Sequence, residues 1–497
     1  MPIQAPAVVQ SRLKRLDSET VHALFGSFDA EQEDMEKFKE YFVTNNFFER
    51  FTANFPLRIA VGNKGAGKSA VLRASLINNQ QDPHCICVPL TASDLIAFGD
   101  KLPSDTLKAI NYWKGIFAAE AAGQLLTSKL GSHLDGDLAR ALSNLPSFLG
   151  LLAKYVSSKT KGASDIAIKA GLDLNSITKI VFYIDDLDKG WDGRFEGLHF
   201  VNSILNACYD MSKRDNNIQF RLAIRWDLWD AISRINQDID KIRQNAVFLR
   251  WTNHEIYVVA AMRVAKFFGF EFPYKMYLNE DRNQEEIARI FDPILVRTFQ
   301  GAGKWDNTPT RRVILAMTRN RPRDLITLLT LAAEEACSKG RVQISSTDLQ
   351  SIFPRYSEDR LNDLIVEYGT RMKGLEDLLL SFKPSKMTRR ATDSFRYTND
   401  RMTVHLKALI KEKPNKIKYS YESGGADYRR LLDFLYRIDF LQAYFNHNDG
   451  TIERVSFQDR QLAVSGIADF GYSWEVLPAY RWAIQPTKLL DVINSLE

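Results

Sequence analysis

Cysteine and histidine are scarce in this chain, four and seven among 497 residues. Cys85, Cys87, Cys208 and Cys337 sit inside apolar patterns, and "HCICVPL" alternates like a strand rather than pairing like a metal knuckle, so buried, reduced thiols are expected. No two histidines lie three to five positions apart and no G-x-S-x-G occurs, so no nuclease, deaminase or protease constellation is in view. Long apolar runs are also missing. The longest, "LPSFLGLLAKYV" from Leu145 to Val156, is broken by Pro146, Gly150 and Lys154, well short of the roughly 20 residues that span a bilayer. The N-terminal residues have no apolar core after a basic start, which argues against a secretory signal. A cytoplasmic protein without membrane attachment is expected. Net charge is low for the length, at +5, and says little about partners.

What is present is the composition of a folded protein, with 45% apolar and 26% charged residues. The length suggests about three domains. Charge is uneven: Lys383 to Lys418 holds eleven Lys or Arg against Asp393, Asp400 and Glu412. Such a run is either a solvated face or an electrostatic footprint for DNA or an acidic partner.

Five apolar, β-rich runs alternate with helical patterns: "LRIAV" (Leu57 to Val61), "CICVPL" (Cys85 to Leu90), "KIVFYID" (Lys179 to Asp185), "FRLAIR" (Phe220 to Arg225) and "AVFLRW" (Ala246 to Trp251). Near-continuous apolar strands between helices predict an α/β domain with a parallel sheet covered on both faces. It is expected over 56–252, with a helical insertion at about 100–177 and a mobile loop around Ser157 to Ser164, after an N-terminal helical segment (1–55) that packs on it. "TNHEIYVVAAMRVAKFFGF" and "PRDLITLLTLAAEEACSKG" predict a helical lid over 253–344. Beyond it, 345–497 reads as helices such as "STDLQSIF" and "SEDRLNDLIVEYG", then a hairpin around Asp449 and Gly450, a pattern that fits a winged helix.

The chemistry concentrates in "GNKGAGKS", Gly62 to Ser69, which satisfies G-x-x-x-x-G-K-[ST] between a strand and a helix. Glycines at 62, 65 and 67 let backbone N–H groups turn inward as an anion cradle at a helix N-terminus. Gly62, Asn63, Lys64, Gly65, Ala66, Gly67, Lys68, Ser69 and Ala70 form the expected nucleotide-binding set, Lys68 reaching the β- and γ-phosphates of ATP and Ser69 offering its hydroxyl to Mg²⁺. The motif requires a carboxylate at a second strand end, and "KIVFYIDDLDKGW" supplies one. Asp185 is the metal-side candidate with Ser69, Asp186 the group to orient or deprotonate the attacking water, and Asp188 a cap for the following turn.

Positive charge must also register the γ-phosphate. Arg225 ends the fourth apolar run, at the strand edge where open α/β sheets bind ligands, and is the fourth catalytic candidate beside Lys68, Asp185 and Asp186. In "TRNRPRDLITLL" a helix starts at Pro322 among Arg319, Arg321 and Arg323, so Arg321 or Arg323 is expected to meet nucleotide when the lid closes. Arg243, before the fifth run, is a candidate arginine finger acting on a second subunit. Trp226, Trp229 and Trp251 read as core or interface packing.

These segments, with "FGSFDAEQE" (Phe25 to Glu33), "YFVTNNFFERF" (Tyr41 to Phe51), "AIRWDLWD", "DKIRQNAVFLRW" and "RNRPRDL", resemble a bacterial P-loop ATPase family related to the KAP and STAND NTPases. The likeness covers roughly the first 340 residues, and "WEVLPAYRWAI" is similar to that family's terminal segment, with Leu477 where a histidine is usual. It implies the additional-strand order of P-loop sheets, an ATP-driven switch that forms homo-oligomers and controls a separate effector, and a place in antiphage defence or a mobile element. It puts Phe25 and Gly26 near adenine, Arg225 on the strand-four arginine and Pro322 with its arginines on the lid motif. The alternatives are a DNA motor or remodeller using the basic stretch, and a binding module in which ATP is only structural.

Overall fold

The computed structural model describes residues 16–27, 33–99, 101–130, 179–189, 191, 195–236, 239–278, 284–301, 305–384, 395–413, 416–420, 427–449, 451–457 and 471–485. Contacts divide the chain into two units. One, the sheet unit, comprises Asn46–Asn63 and Lys68–Leu249; the other, the helical unit, comprises Met1–Asn45, Lys64–Gly67 and Arg250–Glu497. The segment expected at 1–55 is thus shared between them.

In the sheet unit, β1 (Leu57–Gly62), β2 (Cys85–Leu90), β3 (Lys179–Ile184), β4 (Ile218–Arg225) and β5 (Ala246–Phe248) form one sheet in the order β2-β3-β4-β1-β5. Every pairing is parallel. That is the additional-strand arrangement of a P-loop NTPase, with β4 inserted between the first strand and β3. Parallel strands need crossover helices, which cover both faces and leave the strands apolar along their length; from Phe220 to Ile224, β4 is buried without a break. Phe182 and Phe220 stack at 4.8 Å on neighbouring strands, and Phe117 of the helix Thr106–Leu130 closes over both. The helix Lys68–Gln80 is pinned to β3 by Tyr183, whose hydroxyl donates to the Ser75 carbonyl at 3.0 Å. The loop expected at Ser157 to Ser164 and most of the expected insertion lie outside the described residues.

In the helical unit, the helix Asn253–Phe268 opens with a capping box of Thr252 and Glu255 and ends at Gly269 in the left-handed region. The helix Pro322–Ser338 places proline in its first turn, where its missing N–H is harmless. "STDLQSIF" and "SEDRLNDLIVEYG" are one helix, Ser346–Tyr368, which runs through Pro354 from a capping box of Ser345 and Asp348. Short ladders follow between β6 (Thr298–Phe299) and β7 (Thr308–Pro309), and between β8 (Met372–Lys373) and β10 (Lys418–Tyr419). β9 (Arg396–Tyr397), β11 (Leu441–Asn446), β12 (Ile452–Val455) and β13 (Ser473–Val476) make an antiparallel sheet in the order β12-β11-β13-β9. The hairpin expected around Asp449 joins β11 to β12. No helix among the described residues is long and apolar enough to cross a membrane.

Candidate functional site

In the sheet unit the chemistry gathers at the carboxyl ends of β1, β3 and β4. Gly62, the last residue of β1, pairs in register with Arg225, the last of β4. β3 lies on the other side of β4, so its terminal carboxylates meet the same edge. Ser69, in the first turn of the helix Lys68–Gln80, donates its hydroxyl to the Asp185 carboxylate. Burial raises the Asp185 pKa above the usual carboxylate range, against the opposing pull of the Ser69 hydroxyl, the Asp186 N–H and the Lys68 ammonium. Lys68 itself donates to the Asn63 carbonyl at 3.2 Å.

Asp186 follows in a left-handed conformation, φ 53°, and its N–H donates to Asp185 Oδ1 at 2.8 Å. Its side chain is exposed. A non-glycine residue held at positive φ costs energy that surrounding structure must offset, and such residues gather at functional sites.

Arg225 is half of a buried fork. Nε reaches Asp227 Oδ1 at 2.8 Å and Nη2 reaches Oδ2 at 2.5 Å, while Nη1 lies 3.4 Å from Asp188. Burial raises the Asp188 pKa, and Arg225 and Lys68 oppose that rise. The carboxylate for which a capping role was expected is therefore an ion-pair partner of Arg225. Asp227, nearly without exposure, was missed; its position two residues after Arg225, opening the helix Trp226–Ile235, was the available signal.

The tip of the phosphate loop, Lys64–Gly67, groups with the helical unit. Gly65 and Gly67 have φ of 81° and 90°, a left-handed run that glycine adopts without a Cβ penalty. Both backbone groups of Lys64 are held by side chains: its N–H donates to Glu367 Oε1 at 3.0 Å, and Arg321 Nη1 donates to its carbonyl at 3.0 Å. Arg321 also pairs with Glu367 at 3.3 Å and with Asp439 at 3.4 Å, all three side chains being about 2% exposed or less. Trp251 donates Nε1 to the Ala66 carbonyl at 2.7 Å. A Cβ on Gly65 would come 3.2 Å from Arg323 Cβ, so Arg323 lies against the turn. Of the expected lid arginines, Arg321 grips loop backbone, Arg323 flanks it, and Arg319 forks onto Asp324 at 2.7 and 2.8 Å. Sequence gave no signal for Glu367 or Asp439, and the packing expected of Trp251 carries a hydrogen bond besides.

The remaining expected residues are scattered. Arg243 is exposed and pairs with Asp240 at 3.6 Å. Phe25 is fully buried and its carbonyl accepts from Arg263. Leu477 is buried at the head of the helix Pro478–Ile484. Among the basic residues from 383 to 418, Arg396 pairs with buried Glu475, Lys413 pairs with Asp377, and Arg401 and Lys407 lie over Tyr397 and Tyr428. Cys85, Cys87 and Cys208 are buried and all four cysteines are free thiols, Cys337 being partly exposed.

The residues fit the group the loop implies. A strand-to-helix turn with two left-handed glycines keeps side chains out of an anion cradle, and a hydroxyl bonded to a carboxylate is an all-oxygen pair suited to Mg²⁺, which takes few protein ligands and completes its shell with phosphate and water.

Comparison with known proteins gives partial matches. Residues 281–365 match the family described as the FunZ-associated C-terminal helical domain. A putative transposon gamma-delta 80.3 kDa protein of Escherichia coli K12 is 21% identical, the match covering 72% of this chain and 53% of that one. The chain thus spans about half the length of that curated relative. Among solved structures, Cdc6p of Pyrobaculum aerophilum aligns at 11% identity and a TM-score of 0.34, over 90% of this chain and 96% of its own. The ORC2 protein of Aeropyrum pernix aligns at 10% identity and a TM-score of 0.37, over 83% and 86%. A Walker-type ATPase of Pyrococcus abyssi aligns at 12% and 0.36, over 89% and 96%. What the strand order and the loop motif establish together is a P-loop NTPase fold of the additional-strand class, joined to a largely helical C-terminal region.

Proposed function

We propose that this chain binds ATP with Mg²⁺ and hydrolyses it as a switch that oligomerises and controls a partner effector. The observation that supports it is the hydrogen bond from Ser69 to Asp185, made beside Lys68 between the ends of β1 and β3. When bound, the nucleotide supplies a labile phosphoanhydride and the metal a hard positive charge. The chain's own residues do the rest. Ser69 and Asp185 would hold the metal. Lys68 leaves the Asn63 carbonyl for the β- and γ-phosphates. Asp186, exposed at the end of β3, orients the attacking water. Arg225, aimed by Asp227, places positive charge where the transition state gathers negative charge. Of the lid arginines, Arg323, which lies against Gly65, is the one assigned to the phosphates, and Arg321 acts through the Lys64 backbone that it holds. Arg243, exposed, is the candidate finger for a second subunit.

The resemblance to KAP- and STAND-related ATPases supports the switch and its defence or mobile-element setting, and the transposon name of the Escherichia coli relative belongs to the second setting. The sheet of β9 and β11 to β13 with its flanking helices supports a winged-helix reading of the C-terminal region as the part that meets the partner. A DNA motor has less support, because several cations of the basic stretch are engaged within the fold.

The test is equilibrium binding of labelled ATP, turnover, and light scattering with and without ATP, for the wild type, Lys68→Ala and Asp185→Asn. Binding and ATP-dependent assembly in the wild type, lost in Lys68→Ala, carries the proposal. Wild-type protein that ignores ATP overturns it, and several-fold stimulation of turnover by duplex DNA transfers it to the motor.

A further inference from the structure

A second cluster of arginines lines a cavity of about 320 Å³ that contains no residue of the phosphate loop. Four guanidiniums, Arg312, Arg319, Arg454 and Arg481, stand on its wall against one carboxylate, Asp439. The carboxylates behind the wall are already committed. Glu475 accepts from Arg454 at 2.5 Å, from Arg481 at 3.3 Å, from Arg396 at 3.4 Å and from Gln442 at 2.6 Å. Those arginines hold it below the usual carboxylate range although burial alone would raise it. Asp324 is taken by Arg319 and by Arg360 at 3.0 Å.

Two cations have capacity left. Arg319 is 4% exposed, and its Nη1 makes no hydrogen bond among the described residues. Arg312 is exposed in the first turns of the helix Thr310–Ala316 and has no ion pair among the described residues. A buried guanidinium N–H without an acceptor is costly, and planar guanidinium forks facing a concave space bind the oxygens of a phosphate bidentately. Trp305, Leu477 and Pro478 supply an apolar side to the same space. Its volume is at the lower end for ligand pockets, roughly 300–1,000 Å³, which suits a small molecule.

We infer that this cavity is a second anion site, which takes a small organic phosphate of the nucleoside monophosphate class, its phosphate against Arg312 and Arg319 and its planar part against Trp305 and Leu477. The site is independent of the ATP reading. The experiment therefore uses the full chain carrying Lys68→Ala, so that binding by the phosphate loop does not contribute. Isothermal titration is made with adenosine monophosphate, inorganic pyrophosphate and a short DNA duplex, against Lys68→Ala alone and against Lys68→Ala with Arg312→Ala. Arg312 is chosen because it supports no buried partner, so the fold is kept; circular dichroism checks this. The expected result is saturable one-to-one binding of adenosine monophosphate by Lys68→Ala, weakened at least about tenfold by Arg312→Ala, the loss of a charge-assisted contact. Absence of binding to Lys68→Ala, equal binding with and without Arg312, or binding of the duplex alone overturns it.

Discussion

The guanidinium of Arg321 donates to the carbonyl of Lys64 at 3.0 Å, across 257 positions of sequence. The cation is sandwiched between two buried carboxylates, Glu367 and Asp439, and one of them takes the N–H of the same Lys64. Removing one member of a buried ion network leaves its partners uncompensated, at about 3–5 kcal/mol. Arg321→Ala is thus expected to lower the urea stability by that order and to weaken nucleotide binding with it, whereas Glu367→Gln, which keeps an acceptor for Lys64, should cost less. An Arg321→Ala protein as stable as the wild type would show that the clamp carries no load.

Acid should act on the helical unit through Asp324. Burial alone would raise its pKa, but Arg319 and Arg360 outweigh burial and hold it well below the usual carboxylate range. A depressed carboxylate contributes stability that is complete above its unfolded pKa, about 3.9, and is lost as pH falls from there toward the folded value. Urea midpoints measured from pH 7 to pH 3 should fall below about pH 4 in the wild type. In Asp324→Asn the protein should be weaker at neutral pH and the acid slope shallower; an unchanged slope would assign the acid sensitivity elsewhere.

At the turn itself, Gly65→Ala puts a Cβ at φ 81° and 3.2 Å from Arg323 Cβ. The left-handed backbone alone costs about 1–2 kcal/mol for an L-residue. The expected outcome is a folded protein, by calorimetry, with ATP affinity reduced by at least about tenfold, since the turn shifts where its N–H groups must converge. Undiminished affinity would mean the turn relaxes without consequence.

Trp251→Phe keeps an aromatic ring but deletes the 2.7 Å bond to the Ala66 carbonyl. Its expected cost is about 1 kcal/mol of stability. If the turn moves on binding, ATP should change the wild-type tryptophan fluorescence, and the variant should lose most of that change; an identical response in both would place the reporter at another tryptophan.

Arg225 is aimed by a bidentate bond to Asp227. Arg225→Lys keeps the charge near a buried carboxylate but loses the planar fork. Turnover should fall by at least about tenfold while ATP affinity stays within about twofold, the pattern of a contact made in the transition state. Equal losses in both would make Arg225 a ground-state ligand.

The strands were legible because each is a near-continuous apolar run bounded by polar residues, and β1 to β5 fall where those runs predicted. The phosphate loop was legible because its chemistry is local, eight consecutive residues with glycine where backbone must turn. Strand order was not in the residues themselves: nothing in "FRLAIR" says that it lies between "LRIAV" and "KIVFYID", and that expectation came from resemblance. The supports of the loop were invisible for a related reason. Glu367 looks like any acidic residue in a helix, and only folding brings it to Lys64, 303 positions away. The basic stretch shows the converse, a sequence signal that was real as charge, while the structure engages four of its eleven cations with Glu475, Asp377 and two tyrosines.

The Lys64 peptide also sets an order of events during synthesis. Domains fold from the N-terminus as the chain emerges, and β1 to β5 are complete by residue 248. Yet Trp251, Arg321 and Glu367, which satisfy the Ala66 carbonyl, the Lys64 carbonyl and the Lys64 N–H, have not then been translated. A nascent chain that has released its last sheet strand but not yet Arg321 and Glu367 would carry a turn whose Lys64 groups still hydrogen-bond water, so this turn, among the earliest segments made, is among the last to mature.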